Sequence, residues 1–181
     1  LLTTGANLAI SGNIPQGAGL SSSASLEVGV AQALAGLEGR SVAKDVLARI
    51  GQQAENEFVG CKCGIMDQLA SALGQADHGL LIDCADHSVK PVSIPANAAL
   101  IIVNSNVRRG LVESAYNDRR QQCEEAAAVC GAASLRHVSL DLLMEKRIEL
   151  GDVLFRRAHH VITENARTLA AAEALSRGDL E

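Results

Sequence analysis

Pro15-Gln-Gly-Ala-Gly-Leu-Ser-Ser-Ser-Ala-Ser25 is the stretch from which this chain is read. It follows a short apolar run (Leu8, Ala9, Ile10) and precedes a stretch of helical periodicity. The position predicts a glycine-and-serine loop between a strand and the N-terminus of a helix. Such an N-terminus leaves backbone N–H groups without acceptors at the positive end of the helix dipole, an arrangement that suits phosphate. Gly17 and Gly19 carry no Cβ, so the backbone can come close to a bulky anion. The serine hydroxyls can add hydrogen bonds to phosphate or ligate a hard cation. No Gly-Lys-Ser/Thr follows the glycines and the segment has no lysine, which excludes a Walker A loop. A solvated turn with an ordinary serine N-cap is the plainer alternative.

Outward from the loop, apolar residues at 26, 30, 33, 34 and 37 mark a helix starting near Ser22. A second set at 42, 46, 50, 54 and 58 marks another, and a shorter helix carries Ile65, Met66, Leu69 and Leu73. The period then changes. Residues 79–83, 89–94 and 98–104 read as strands separated by turn residues. Helical spacing returns from Val112 to Cys130, near Leu140, and from Leu154 to about Leu175. Helices, then strands, then helices predict an α+β fold rather than regular βαβ alternation.

A chain of 181 residues forms one large domain or portions of two. Apolar residues make up 48% but aromatics only 2%, so the core is built from Ala, Leu, Val and Ile. Small side chains bury less area each, which leaves less to offset chain entropy. The net charge of −5 gives no reason to expect nucleic acid or an acidic membrane as partner. The pairs Arg108-Arg109, Arg119-Arg120 and Arg156-Arg157 are interspersed with acids. No apolar run reaches the roughly 20 residues needed to span a bilayer, and no signal peptide is visible. Five scattered cysteines are what reduced cytosolic thiols look like, so a cytoplasmic location is expected. Cys61-x-Cys63 with His78, and His159-His160 with Glu164, lack the further ligands a structural zinc needs.

Four motifs together carry a family resemblance. Pro15 to Ser25 resembles the phosphate-binding motif of the GHMP small-molecule kinases, in its galactokinase form. Gln53-Ala-Glu-Asn-Glu-Phe-Val-Gly60 and Cys63-Gly-Ile-Met-Asp-Gln68 resemble the magnesium-ligand and catalytic-aspartate segments. Asn104-Ser-Asn106, followed by Tyr116-x-x-Arg119-Arg-x-x-Cys123, sits where galactokinases carry a sugar-contacting tyrosine. The likeness runs through the whole chain and is closest to the enzymes of enteric bacteria. It implies a two-domain GHMP-kinase-like architecture, incomplete at both ends, with 1–76 belonging to the N-terminal domain and 77–181 to the C-terminal one. Ligands bind between these halves in the family.

The resemblance also implies roles. Gly17, Ala18, Gly19, Leu20, Ser21, Ser22 and Ser23 would hold the ATP phosphates, and Ser23 and Glu55 would ligate Mg²⁺, an ion that keeps much of its water. Asp67, near a helix start where the dipole suits an acid, would act on the sugar C1 hydroxyl as base or by charge and alignment. Gly64, Asp67 and Tyr116 would line the sugar pocket. The residues alone leave Glu55 open as an exposed helix carboxylate, Asp67 as an N-terminal helix acid and Tyr116 as a half-buried packing residue. The implied activity is transfer of the ATP γ-phosphate to D-galactose, in galactose metabolism. A different GHMP sugar kinase and a non-catalytic galactose- and ATP-binding sensor are the alternatives. Sensor paralogues lack the Ser-Ala pair that Ser23-Ala24 supplies here, which favours an enzyme.

Two family motifs do not occur in the sequence: Gly-Arg-x-Asn-Leu-Ile-Gly-Glu-His-x-Asp-Tyr and Gly-Gly-Gly-x-Gly-Gly. The expectation is therefore the middle half of such an enzyme, with little or no turnover by itself. The parent enzyme is expected to be a monomer, and the shorter chain, with apolar surface uncovered, to self-associate.

Overall fold

The computed structural model describes residues 5–61, 63–106 and 112–180; Arg108-Arg109 and Glu181 lie outside them. The chain divides into two compact units, Leu1–Arg109 and Gly110–Glu181. The expected boundary near Ala76 falls ahead of the strands, whereas the first compact unit runs past them. Ile82 and Val89, one from each strand, pack onto that unit's core.

In the first unit, α1 (Ser22–Leu37), α2 (Lys44–Gln53) and α3 (Met66–Leu73) pack on one another. Their shared core is Val28, Leu47, Ala48, Ile65, Leu69 and Ala72. After Gln53 the helix widens into a π-helical turn, Ala54–Val59, which Gly60 ends at φ 84°. A hairpin follows: β1 (His78–Ile82) runs antiparallel to β2 (Val89–Ser93), with Leu80 opposite Pro91. Its turn is held by Asp83 N–H donating to Ser88 C=O at 2.9 Å and by the Asp83 and Asp86 carboxylates, which accept from Ala85 and Ser88 N–H.

Two expectations fail here. Residues 98–104 form no strand, and Leu100, Ile101, Ile102 and Val103 are 70–84% exposed. The run at Leu8, Ala9 and Ile10 is not a strand either. β-propensity is realised only when a neighbouring strand takes the N–H and C=O groups, and among the described residues none lies beside either run. The buried face of α2 is also displaced by one residue. Leu47, Ala48 and Gly51 are inside, while Val46, Ile50 and Phe58 of the apolar set are exposed.

The second unit is helical: α4 (Val112–Val129), a 3-10 turn Leu135–His137, α5 (Leu140–Glu145) and α6 (Arg147–Ser176). Its core is Ala126, Ala127, Cys130, Leu135, Val138, Leu143, Leu150 and Ala158. Ser139 caps α5 by accepting from Leu142 N–H at 3.2 Å. Arg157 on α6 donates to Gln122 Oε1 on α4 at 2.9 Å, and burial pushes the Cys123 and Cys130 thiols up. Gly151 breaks the regular path of α6 at φ 64°, ψ 178°. Among the described residues, no helix is long and apolar enough to cross a membrane.

Candidate active site

The glycine-and-serine loop turns on alternate left-handed residues: Gly17 at φ 71°, Gly19 at φ 75° and Ser21 at φ 57°. The last is costly for a residue with a Cβ and persists only where its surroundings hold it. Ser21 sits at the N-cap of α1 but makes no capping hydrogen bond with its side chain. An ordinary serine cap is therefore not what the loop forms. The helical ladder begins with Ser25 N–H to Ser21 C=O at 3.0 Å, so the amides of Ser22, Ser23 and Ala24 have no helical acceptor. Ser23 is exposed and opens on a groove of about 870 Å³ together with Gln16, Ser22 and Ser25.

Glu55 and Asp67 reach the same part of the first unit from different elements. Glu55 is half-buried in the π-helical turn, where its C=O accepts from Cys61 N–H at 3.1 Å. Single π-turns of this kind often accompany functional positions. Asp67 is half-buried in the first turn of α3, and Gly64 is exposed just ahead of it. The loop between is tethered by Gln52, which donates to Cys63 C=O at 3.3 Å, and by the Cys63 thiol, 3.6 Å from Asn56 Oδ1. Burial, then the charge of Glu55, pushes that thiol up.

Reasoning from sequence missed Glu27. It lies one turn beyond Ser23 on α1 and is the only charged residue of that helix, which was the available signal. Its carboxyl group accepts from Gln68 Nε2 at 3.1 Å and lies against the Glu55 carboxylate. Burial first, and the Glu55 contact second, raise Glu27 to about 7. The helix that follows the loop, the Glu55 turn and the helix of Asp67 thus meet at one carboxyl group. Tyr116 belongs to the second unit, on α4, and is 43% exposed. Asn104 and Asn106 form a local turn, with Asn106 N–H donating to Asn104 Oδ1 at 2.9 Å.

Ser23 and Glu55 themselves offer oxygen donors, which suits a hard cation. Among the described residues, no three His, Cys, Asp or Glu side chains are grouped to cage a metal. A cation there needs oxygens from ligand and water, the habit of Mg²⁺, and the donor set fits it. Elsewhere, Glu164 is engaged by Arg167, which holds its carboxyl below the usual range.

A loop opening free amides at a helix N-terminus, with carboxylates gathered behind it, stands at the centre of an α+β unit. Residues 1–75 match the family described as the GHMP kinases N terminal domain, and that segment belongs to the GHMP kinases. Within that family the chain is similar to the galactokinase of Lactococcus lactis, whose crystal structure was determined in complex with galactose. The two are 32% identical with a TM-score of 0.82 over 92% of this chain. The chain spans 45% of that protein's length.

Proposed function

We propose that this chain is part of a galactokinase, which transfers the γ-phosphate of ATP to the C1 hydroxyl of D-galactose. The observation that carries the reading is the loop, whose left-handed residues leave the Ser22, Ser23 and Ala24 amides open at the head of a 16-residue helix. In this reading Gly17, Ala18, Gly19, Leu20, Ser21, Ser22 and Ser23 bind the phosphates. Ser23 and Glu55 hold Mg²⁺, which when bound neutralises charge on the phosphates. Asp67 orients the C1 hydroxyl and takes its proton as the sugar oxygen bonds to the γ-phosphorus and ADP leaves. Gly64 and Tyr116 contact the sugar. The galactose complex of the Lactococcus lactis relative supports the choice of sugar. We keep 1–76 and 77–181 as portions of the two family domains, and a cytoplasmic location.

The test is galactose-dependent ADP release from Mg²⁺·ATP, alongside ATP binding, for the chain and for Asp67→Ala. Phosphoryl transfer depends on groups placed on both sides of the transferred phosphate, and the two absent motifs supply several. Mg²⁺-dependent ATP binding with little turnover is the expected result. Turnover that Asp67→Ala abolishes would establish a working kinase and overturn the expectation of inactivity. A chain that binds neither nucleotide nor sugar would remove the reading.

A further inference from the structure

Gln68 is 1% exposed and donates its amide to Glu27 Oε2 at 3.1 Å, while its Oε1 has no partner. Glu27 is therefore what compensates the burial of that amide, and losing it leaves a polar group stranded in the core. Glu27 engages the Glu55 carboxylate as well. Space for the arrangement is set by Gly51 on α2, where a Cβ would stand 3.1 Å from Gln68 Cγ and 3.2 Å from Glu27 Oε2. Three elements are thereby packed against one carboxyl group without slack.

From these contacts we propose that Glu27 is a positioning residue of the phosphoryl-transfer site. Through Glu55 it fixes the metal-ligating carboxylate relative to the N-terminal turn of α1, where Ser23 lies. Through Gln68, the residue after Asp67, it fixes the first turn of α3. The inference rests on the kinase reading above, and Glu27 itself touches neither sugar nor phosphate in it. A purely structural Glu27 would predict loss of stability alone. A positioning Glu27 predicts loss of the benefit that Mg²⁺ brings to nucleotide binding.

The experiment measures ATP affinity with Mg²⁺ and with EDTA, and thermal unfolding, for the wild type and three variants. Partners behind a metal ligand typically govern affinity by about 10–100-fold, so Glu27→Ala is expected to cut the Mg²⁺-dependent gain by about tenfold while leaving affinity in EDTA unchanged. Glu27→Asp keeps the carboxyl group but shortens the reach, and is expected to follow Glu27→Ala; it carries the test if the alanine variant does not fold. Glu27→Gln retains a group for each partner and is expected to restore the gain. If Glu27→Ala and Glu27→Asp lower the melting temperature but keep the Mg²⁺-dependent gain, Glu27 is structural and the inference is wrong. If Glu27→Gln loses the gain too, its charge acts directly and positioning is again wrong. A wild type whose ATP affinity ignores Mg²⁺ would sink the kinase reading first, and this inference with it.

Discussion

Glu27 holds its proton to about pH 7 in the folded chain, against an ordinary value of 4.5. The native state therefore binds more protons than the unfolded state between those values, and stability declines as pH rises through that window. The contribution is whole below about 4.5 and gone above about 7. Glu27→Gln removes it. In metal-free buffer, the melting temperature of the wild type minus that of Glu27→Gln should fall as pH is raised across the window, and a flat difference would contradict the assignment. Gly51 offers a second probe of the same spot. Its Cβ would meet Gln68 Cγ at 3.1 Å and Glu27 Oε2 and Cβ at 3.2 and 3.3 Å, atoms tied by a hydrogen bond. Alanine gains up to about 1 kcal/mol in helix propensity, but overpacking costs about 1–3 kcal/mol. Gly51→Ala should therefore lose about 1 kcal/mol net, a fall of about 2–4 °C by calorimetry.

At the scale of elements, helical spacing was legible because an amphipathic face is a local pattern. The start of α1 at Ser22, and helices over 66–73, 112–129 and 140–145, follow from it. The strands at 78–82 and 89–93 were legible because a turn rich in Asp and Ser joins them. Residues 98–104 have the same composition of strand formers, yet strandedness is a property of pairs and sequence shows only one member. The offset of the buried face on α2 has a similar cause: spacing marks an apolar stripe, but the packing of α1 and α3 decides which side is covered, here that of Leu47, Ala48 and Gly51. The loop was readable from its glycines, whereas Glu27 gained its importance only from Gln68, 41 residues away. Nothing in the spacing announced the break at Gly151 either, since its surroundings are open and only its dihedrals set it apart. A φ of 64° with ψ 178° is a conformation essentially reserved for glycine, costing about 1–3 kcal/mol for other residues. Gly151→Ala should accordingly destabilise the chain by that amount in urea unfolding, despite meeting no neighbour. Gly51→Ala fails for space and Gly151→Ala for backbone, and tolerance at Gly151 would show the break to be relaxed.

For the molecule as a whole, the consequence of few aromatics and unpaired strand formers is exposed apolar surface. Leu100, Ile101, Ile102 and Val103 are 80, 84, 70 and 83% exposed in succession, and Ile10 is 65% exposed. Four consecutive strand-forming side chains with free backbone groups form a template for pairing with another copy. Sedimentation velocity at increasing concentration should therefore show the chain self-associating. Exposure alone does not distinguish pairing along this segment from diffuse apolar stickiness. Lysine does, because a charge on an edge segment opposes strand addition while changing little total surface. Ile101→Lys with Val103→Lys places two charges on one side of an extended segment and should return most of the material to monomer, with the melting temperature of the helical cores unchanged. A wild type that stays monomeric at high concentration would overturn the expectation outright. Association that survives the double variant would move its origin away from 100–103 and toward the exposed Leu8 and Ile10 run.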